Sequence, residues 1–209
     1  MTSCKSLHEW ANALARFRFP FDDARIPKNG IYILFEKKEQ AHGGDRIVRI
    51  GTHTGGGQLP SRLKQHFITP NKDRSIFRKN IGRAILTRDK DLFLADWEID
   101  LTPAAVRALY SSRIDSAKQA VVEKEVSEYI QNNFSFAVIR IDSKEERLRL
   151  ESRIISTVSL CAACRPSAAW LGNFSPKDKI RESGLWIVNE LYKEPLDSED
   201  LTILKRAVL

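Results

Sequence analysis

The sequence predicts a mixed α/β (α+β) protein: a small antiparallel sheet of about three main strands, 30–36, 46–51 and 134–141, flanked by helices. Three observations carry this. Ile31, Ile33 and Phe35 alternate with Tyr32, Leu34 and Glu36, and a second alternating run follows at Arg46–Gly51, with Ile47 and Arg49 opposite Val48 and Ile50. The charged stretch between them, Lys37–Asp45, contains Gly43-Gly44 and turns the chain back, so the two runs form an antiparallel hairpin with 30–36 as a central strand. Much later, FSFAVIRI at 134–141 is rich in aromatic and β-branched residues and supplies a third strand, which a hairpin needs because two strands alone are marginal in water.

The other elements follow in order. Leu7, Trp10, Ala11, Leu14 and Phe17 have helical spacing, giving a covering helix at about 7–19 that ends at Pro20; residues 20–29 connect it to the first strand. After a polar, glycine-rich loop, Thr52–Gln58, Pro60 marks a helix start. There Leu59, Leu63 and Phe67 form an apolar stripe beside a polar one of Arg62 and His66. Ile76, Phe77, Ile81, Ile85 and Leu86 fit one helical face, with Lys72, Arg74, Arg78, Lys79 and Arg83 mostly elsewhere, a basic face for a phosphate backbone or an ordinary solvated one. Residues 89–119 form a weakly patterned insertion, 120–130 an amphipathic helix. Ser143 and Glu146 mark a capping box at the start of a helix whose apolar arc, Leu148, Leu150, Ile154, Ile155, Val158 and Cys161, carries Glu151 in its middle. A carboxylate there is costly unless it meets a cation or a metal. A helix interrupted at Ser183-Gly184 is expected over 177–192, then a polar bend and short helix to residue 209, which makes 174–209 a C-terminal extension of one domain spanning 1–209.

Gly30-Ile31-Tyr32, Arg49-Ile50-Gly51, and Arg62 with His66 one helical turn later resemble, in order and spacing, the GIY-YIG nuclease superfamily. The departure is Arg49, which stands where that family has its second tyrosine. The resemblance implies a GIY-YIG-like fold and a metal-dependent endonuclease acting on double-stranded DNA. Tyr32 would accept the proton of the attacking water, Arg62 would stabilise transition-state charge, and His66 would relay a proton or orient Tyr32. Glu151 would hold one divalent metal, magnesium or manganese, hard ions suited to oxygen ligands. Asn173 is the best match to a supporting asparagine, with Asn189 as fallback. For Arg49 two roles stay open: a positive charge beside the phenol, which favours phenolate, or a grip on phosphate.

A net charge of +7 and a pI of about 9.4 favour a polyanionic partner. With neither an apolar run of membrane-spanning length nor a basic-then-apolar leader, an intracellular, cytoplasmic protein without membrane contact is expected. Three cysteines argue against a disulfide framework; Cys161 and Cys164 have zinc-ligand spacing, but with no second Cys/His pair following and Cys4 remote in sequence, they are expected to be two buried or partly buried thiols. Two other classes fit part of the pattern: a nucleic-acid-binding module of this fold that has lost catalysis, and a small scaffold in which Glu151 pairs with an arginine.

Overall fold

The computed structural model describes residues 3–207. Among these the chain runs α1 (Ser3–Ala13), β1 (Phe17–Arg18), β2 (Gly30–Ala41), β3 (Gly44–Gly51), α2 (Leu59–Phe67), α3 (Ile76–Arg88), α4 (Leu94–Glu98) and α5 (Ala104–Tyr110). It continues through α6 (Ser116–Asn133), β4 (Phe134–Arg140), α7 (Lys144–Ser159), α8 (Asp178–Ser183) and α9 (Ser198–Arg206). The described strands form one antiparallel sheet in the order β1-β4-β2-β3, so the three expected strands are present, with β2 central. The fourth strand lies where the leading helix was expected to continue. That helix ends at Ala13, and Phe17 pairs with Phe136 and stacks on its ring at 5.3 Å, burial that a further turn of helix would forgo.

Because successive side chains leave a strand on opposite faces, the sheet carries two cores. Tyr32, Leu34, Val48, Phe134 and Phe136 pack with α2, α3, α6 and the rings of Trp97, Trp170 and Trp186. On the other face, Ile31, Ile33, Phe35, Ile47, Ile50 and Ile139 pack with α1, α7 and α9. The expected alternation in β3 is broken by a bulge: Leu34 faces Arg49 and Phe35 faces Ile47, leaving Val48 as an extra residue. Ile47 therefore shares a face with Ile50, and Val48 with Arg49, rather than alternating throughout. Arg49 still reaches the face of Tyr32, since Leu34 lies opposite it and Tyr32 is two residues from Leu34.

The basic segment 72–88 is not a solvated face. Arg78 is buried against the Glu123 carboxylate at 2.7 Å, and Arg83 chelates Glu98. Lys72 bonds Asp73 and the Ile99 carbonyl, and Lys79 bonds the Glu98 carbonyl. A buried cation needs a counterion: Glu123 of α6 and Glu98 of the 89–119 insertion serve the two arginines while those segments cover α3, and Asp73 serves the two lysines; of the five expected phosphate contacts only Arg74 is exposed. The helix expected over 177–192 ends at Ser183, where Gly184 takes a left-handed φ of 69°, and the chain beyond is irregular as far as α9. The three cysteines are also not dispersed: Cys4 Sγ lies 3.4 Å from Cys164 Sγ because α1 packs beside the turn that follows α7.

Gly30 is required by the β2–β4 pairing, since a Cβ there would stand 2.1 Å from the Ile139 carbonyl oxygen, which is backbone and cannot step aside. Gly30→Ala should cost about 1–3 kcal/mol, or roughly 2–12 °C in Tm. Gly56→Ala, whose added methyl meets nothing within 4 Å, should leave Tm nearly unchanged. Equal melting temperatures for the two variants would contradict this account of the pairing.

Candidate active site

At the end of β3 the two layers meet around one cleft. Its walls are Thr52, His53 and Thr54 after the strand, Gln58, Ser61, Arg62 and Gln65 at and along α2, and Leu148 and Glu151 on α7, enclosing about 410 Å³. Leu148, expected inside the apolar arc, is half-exposed in this wall. Arg62 and Glu151 thus face one space from opposite layers. Arg62 is oriented by Gln65 Oε1 at 3.1 Å and by the Arg74 carbonyl oxygen at 3.0 Å.

Tyr32 and His66 lie outside that wall, in the core between β2 and α2. Tyr32 is 1 % exposed, and its hydroxyl is 2.8 Å from His66 Nε2. That approach needs Gly51: directly opposite Tyr32 in the pairing, any Cβ would come within 2.2 Å of the hydroxyl oxygen. His66 Nδ1 is 2.7 Å from Ser75 Oγ, and the same oxygen caps α3 by accepting the Arg78 N–H. Ser75 Oγ can also donate its own proton to Nδ1, and in the tautomer where it does so Nε2 carries the hydrogen and donates it to the tyrosine oxygen. Burial drives the His66 pKa well down, and the charges of Arg49, Arg62 and Arg78 push the same way, so the ring is neutral at neutral pH.

Arg49 is 3 % exposed and does not line the cleft. It donates to the Trp186 carbonyl while Trp186 N–H donates to Val48 O at 2.8 Å, and its guanidinium stands 5.2 Å over the Phe77 ring. Among the described residues no carboxylate lies within ion-pair distance of it, and its Nε is buried without a partner. A buried cation of this kind is felt at range. It disfavours a second charge on His66 and favours the charged form of Glu151.

Glu151 accepts the Thr52 N–H at 2.9 Å through Oε1, and among the described residues nothing hydrogen-bonds Oε2. The buried Glu–Arg pair that was the alternative for this residue is absent there as well. Burial pushes its pKa up; Arg49 and the Thr52 N–H oppose this, and Glu190, held by Ser152 Oγ at 2.6 Å, adds to it. Such a carboxylate, half-buried with one oxygen committed and the other open to a polar cleft, is a suitable ligand for a hard divalent ion that keeps most of its water.

Asn173 is not brought to the cleft. Its amide closes a loop on the carbonyls of Ser167 and Ala168 at 2.9 and 3.2 Å, and Asn189 is exposed beside Lys177 and Val188. Two residues went unrecognised in the sequence. Thr52 joins Glu151 to the start of β2, where its hydroxyl donates to Gly30 O at 2.7 Å. His53 is buried in the cleft wall, Nδ1 on Gly55 O and Nε2 accepting the Gly30 N–H, and burial lowers its pKa. Both follow directly on Gly51, a position that marks them only once the strand is known to end at a site.

The family model described as GIY-YIG domain matches residues 5–209. The chain belongs to the GIY-YIG domain family, whose members are generally nucleases that use divalent metals and act on DNA. No curated protein and no solved structure matches the chain significantly. None of the described helices is long and apolar enough to cross a membrane.

A histidine held neutral by the fold has a stability signature. The unfolded chain takes up the proton near pH 6.5 and the folded chain only lower, so the His66 contribution is complete above about 6.5 and is lost as pH falls from there towards the folded value. Relative to wild type, His66→Gln should be less sensitive to acid by up to about 1.4 kcal/mol per pH unit below pH 6.5. Denaturant unfolding at a series of pH values measures it; parallel losses in the two proteins would mean that His66 is not held neutral.

Proposed function

We propose that the protein is a metal-dependent endonuclease that hydrolyses phosphodiester bonds of double-stranded DNA as a single catalytic domain, with Tyr32 as general base and one divalent ion, magnesium or manganese, held by Glu151. The observation that carries this is the chain Ser75–His66–Tyr32, fixed by two hydrogen bonds of 2.7 and 2.8 Å, next to a polar cleft holding Arg62 and Glu151. Those are the groups that hydrolysis requires: a base for water, a cation for the phosphoryl oxygens and a ligand for a metal.

Each residue has a role its geometry suits. The neutral His66 donates Nε2–H to the oxygen that carries negative charge when Tyr32 acts as base, and Ser75 fixes the ring. Gly51 leaves the hydroxyl room. Arg62, half-buried and steadied by Gln65, offers its remaining N–H groups to phosphate oxygens, a task its planar fork suits. Thr52 orients the Glu151 carboxylate. The bound ion would neutralise phosphate charge and assist departure of the leaving oxygen. Of the two roles open for Arg49, burial away from the cleft on the face of Tyr32 favours the electrostatic one, in which a fixed positive charge favours phenolate at Tyr32 and also opposes a second charge on His66. Phosphate contacts fall to Arg62 and Arg74, since Lys72, Arg78, Lys79 and Arg83 are engaged in the core.

The test is incubation of the full chain with plasmid, with magnesium and without it. Wild type should nick or cut only when the ion is added. Glu151→Gln should lose roughly 10²-fold or more in rate while its circular dichroism and Tm stay near wild type, because the amide is a weaker ligand for a hard cation. Undiminished cleavage by Glu151→Gln would remove this residue from the mechanism. Tight, salt-sensitive DNA binding without cleavage would favour the inactive binding module of the same fold.

A further inference from the structure

On the sheet face away from Tyr32, five side chains from three separate parts of the chain meet with no role in phosphodiester chemistry. Cys4 and His8 come from α1, His42 from the turn between β2 and β3, and Cys161 and Cys164 from the turn after α7. These are all of the cysteines and two of the four histidines in the sequence. The donor atoms of Cys4, His8, His42 and Cys164 all lie within 4.8 Å of one another. His42 Nε2 is 3.3 Å from Cys164 Sγ and 3.4 Å from Cys161 Sγ, and Cys4 Sγ is 3.4 Å from Cys164 Sγ.

Tetrahedral zinc, bound at about 2.3 Å by sulfur and 2.0–2.1 Å by nitrogen, sets donor–donor edges of roughly 3.4–3.8 Å. The three contacts around Cys164 and His42 approach those edges. The two histidines differ in what else holds them. His8 Nδ1 is 3.0 Å from the Cys4 carbonyl oxygen and its Nε2 accepts the Ile47 N–H at 3.2 Å, so both nitrogens have backbone partners. His42 Nε2 has sulfur neighbours, and Cys161 and Cys164 stand in the Cys-x-x-Cys spacing of a zinc knuckle.

We propose that Cys4, Cys161, Cys164 and His42 bind one structural zinc ion that ties α1, the β2–β3 turn and the end of α7 together, with His8 bracing Cys4 against β3. Four protein ligands close the coordination sphere, so the ion has no open position for chemistry. The clamp lies at the start of β3, the strand that carries Arg49 and Gly51, and at the C-terminal end of α7, which carries Glu151. It thus fixes the elements whose far ends form the cleft.

The test uses the full chain, expressed in zinc-supplemented medium and purified under reducing conditions without chelator. Elemental analysis should give one zinc per chain, and X-ray absorption should show three sulfurs and one nitrogen around it. Titrating the metal-free protein with Co²⁺ should give tetrahedral d–d bands and a sulfur charge-transfer band, which Cys161→Ser weakens and His8→Gln leaves in place. Cys4→Ser, Cys164→Ser and His42→Asn should lose the metal, whereas Glu151→Gln, altered at the other site, should keep it in full. A wild-type protein with no bound zinc whose three thiols alkylate freely in the folded state would overturn the proposal. So would a Cys4–Cys164 disulfide under the same reducing conditions, or a shell of two sulfurs and two nitrogens.

Discussion

The hydrogen bond between His66 and the Tyr32 hydroxyl joins the sheet to the helical layer at the point on which the rest of the site depends. For the two side chains to meet at 2.8 Å, β3 must present Gly51 opposite Tyr32, and α2 must place His66 inward one turn beyond Arg62. For the ring to keep one orientation, Ser75 must stand at its other nitrogen, where the same serine starts α3. One buried polar chain thereby sets the relative positions of β2, α2 and α3. Buried polar groups are tolerated when each has its partner, and this chain leaves neither ring nitrogen unmet.

Charge is arranged on a different principle from the one that composition suggests. A basic chain invites the picture of a basic face, yet the most cationic helix is the most enclosed. Arg78 and Arg83 are neutralised by Glu123 and Glu98, and Lys72 and Lys79 by Asp73. Arg49 differs from these: it is a buried guanidinium without a carboxylate partner, beside His66 and within electrostatic range of Glu151. At the strand position that departs from the family pattern, this protein has thus placed a fixed positive charge. Burial is the main reason the imidazole stays neutral, and Arg49 adds to it; at Glu151 the same charge opposes the upward push of burial on the carboxyl pKa.

Much of the fold could be read from local pattern. The two strands of the hairpin, the third strand, the Leu59–Leu63–Phe67 stripe and the Ser143 cap all appear where alternation, helical spacing and capping chemistry place them. What escaped depends on partners distant in sequence. The Val48 bulge shifts faces within a run that still looks alternating. The burial of α3 requires Glu98 and Glu123, which lie beyond any window centred on the helix. Asn173 was assigned through the resemblance, but its amide serves its own loop. Cys4, separated by 160 residues from its sulfur neighbour, carries no local sign of its company. Tyr32, Arg62, His66 and Glu151 stand out as candidates because each lies within a short ordered motif or interrupts an apolar arc.

The central claim is that Tyr32, buried and bonded to a neutral His66, is the base. Single-turnover cleavage of saturating duplex DNA with magnesium, wild type against Tyr32→Phe, tests it most directly, because saturation removes the binding contribution and phenylalanine keeps the ring that fills the core. The account predicts that Tyr32→Phe still folds and binds DNA, loses about 1–3 kcal/mol of stability because the buried His66 Nε2 is left without its partner, and cleaves about 10²–10⁴-fold more slowly. Cleavage by Tyr32→Phe at the wild-type rate would contradict it.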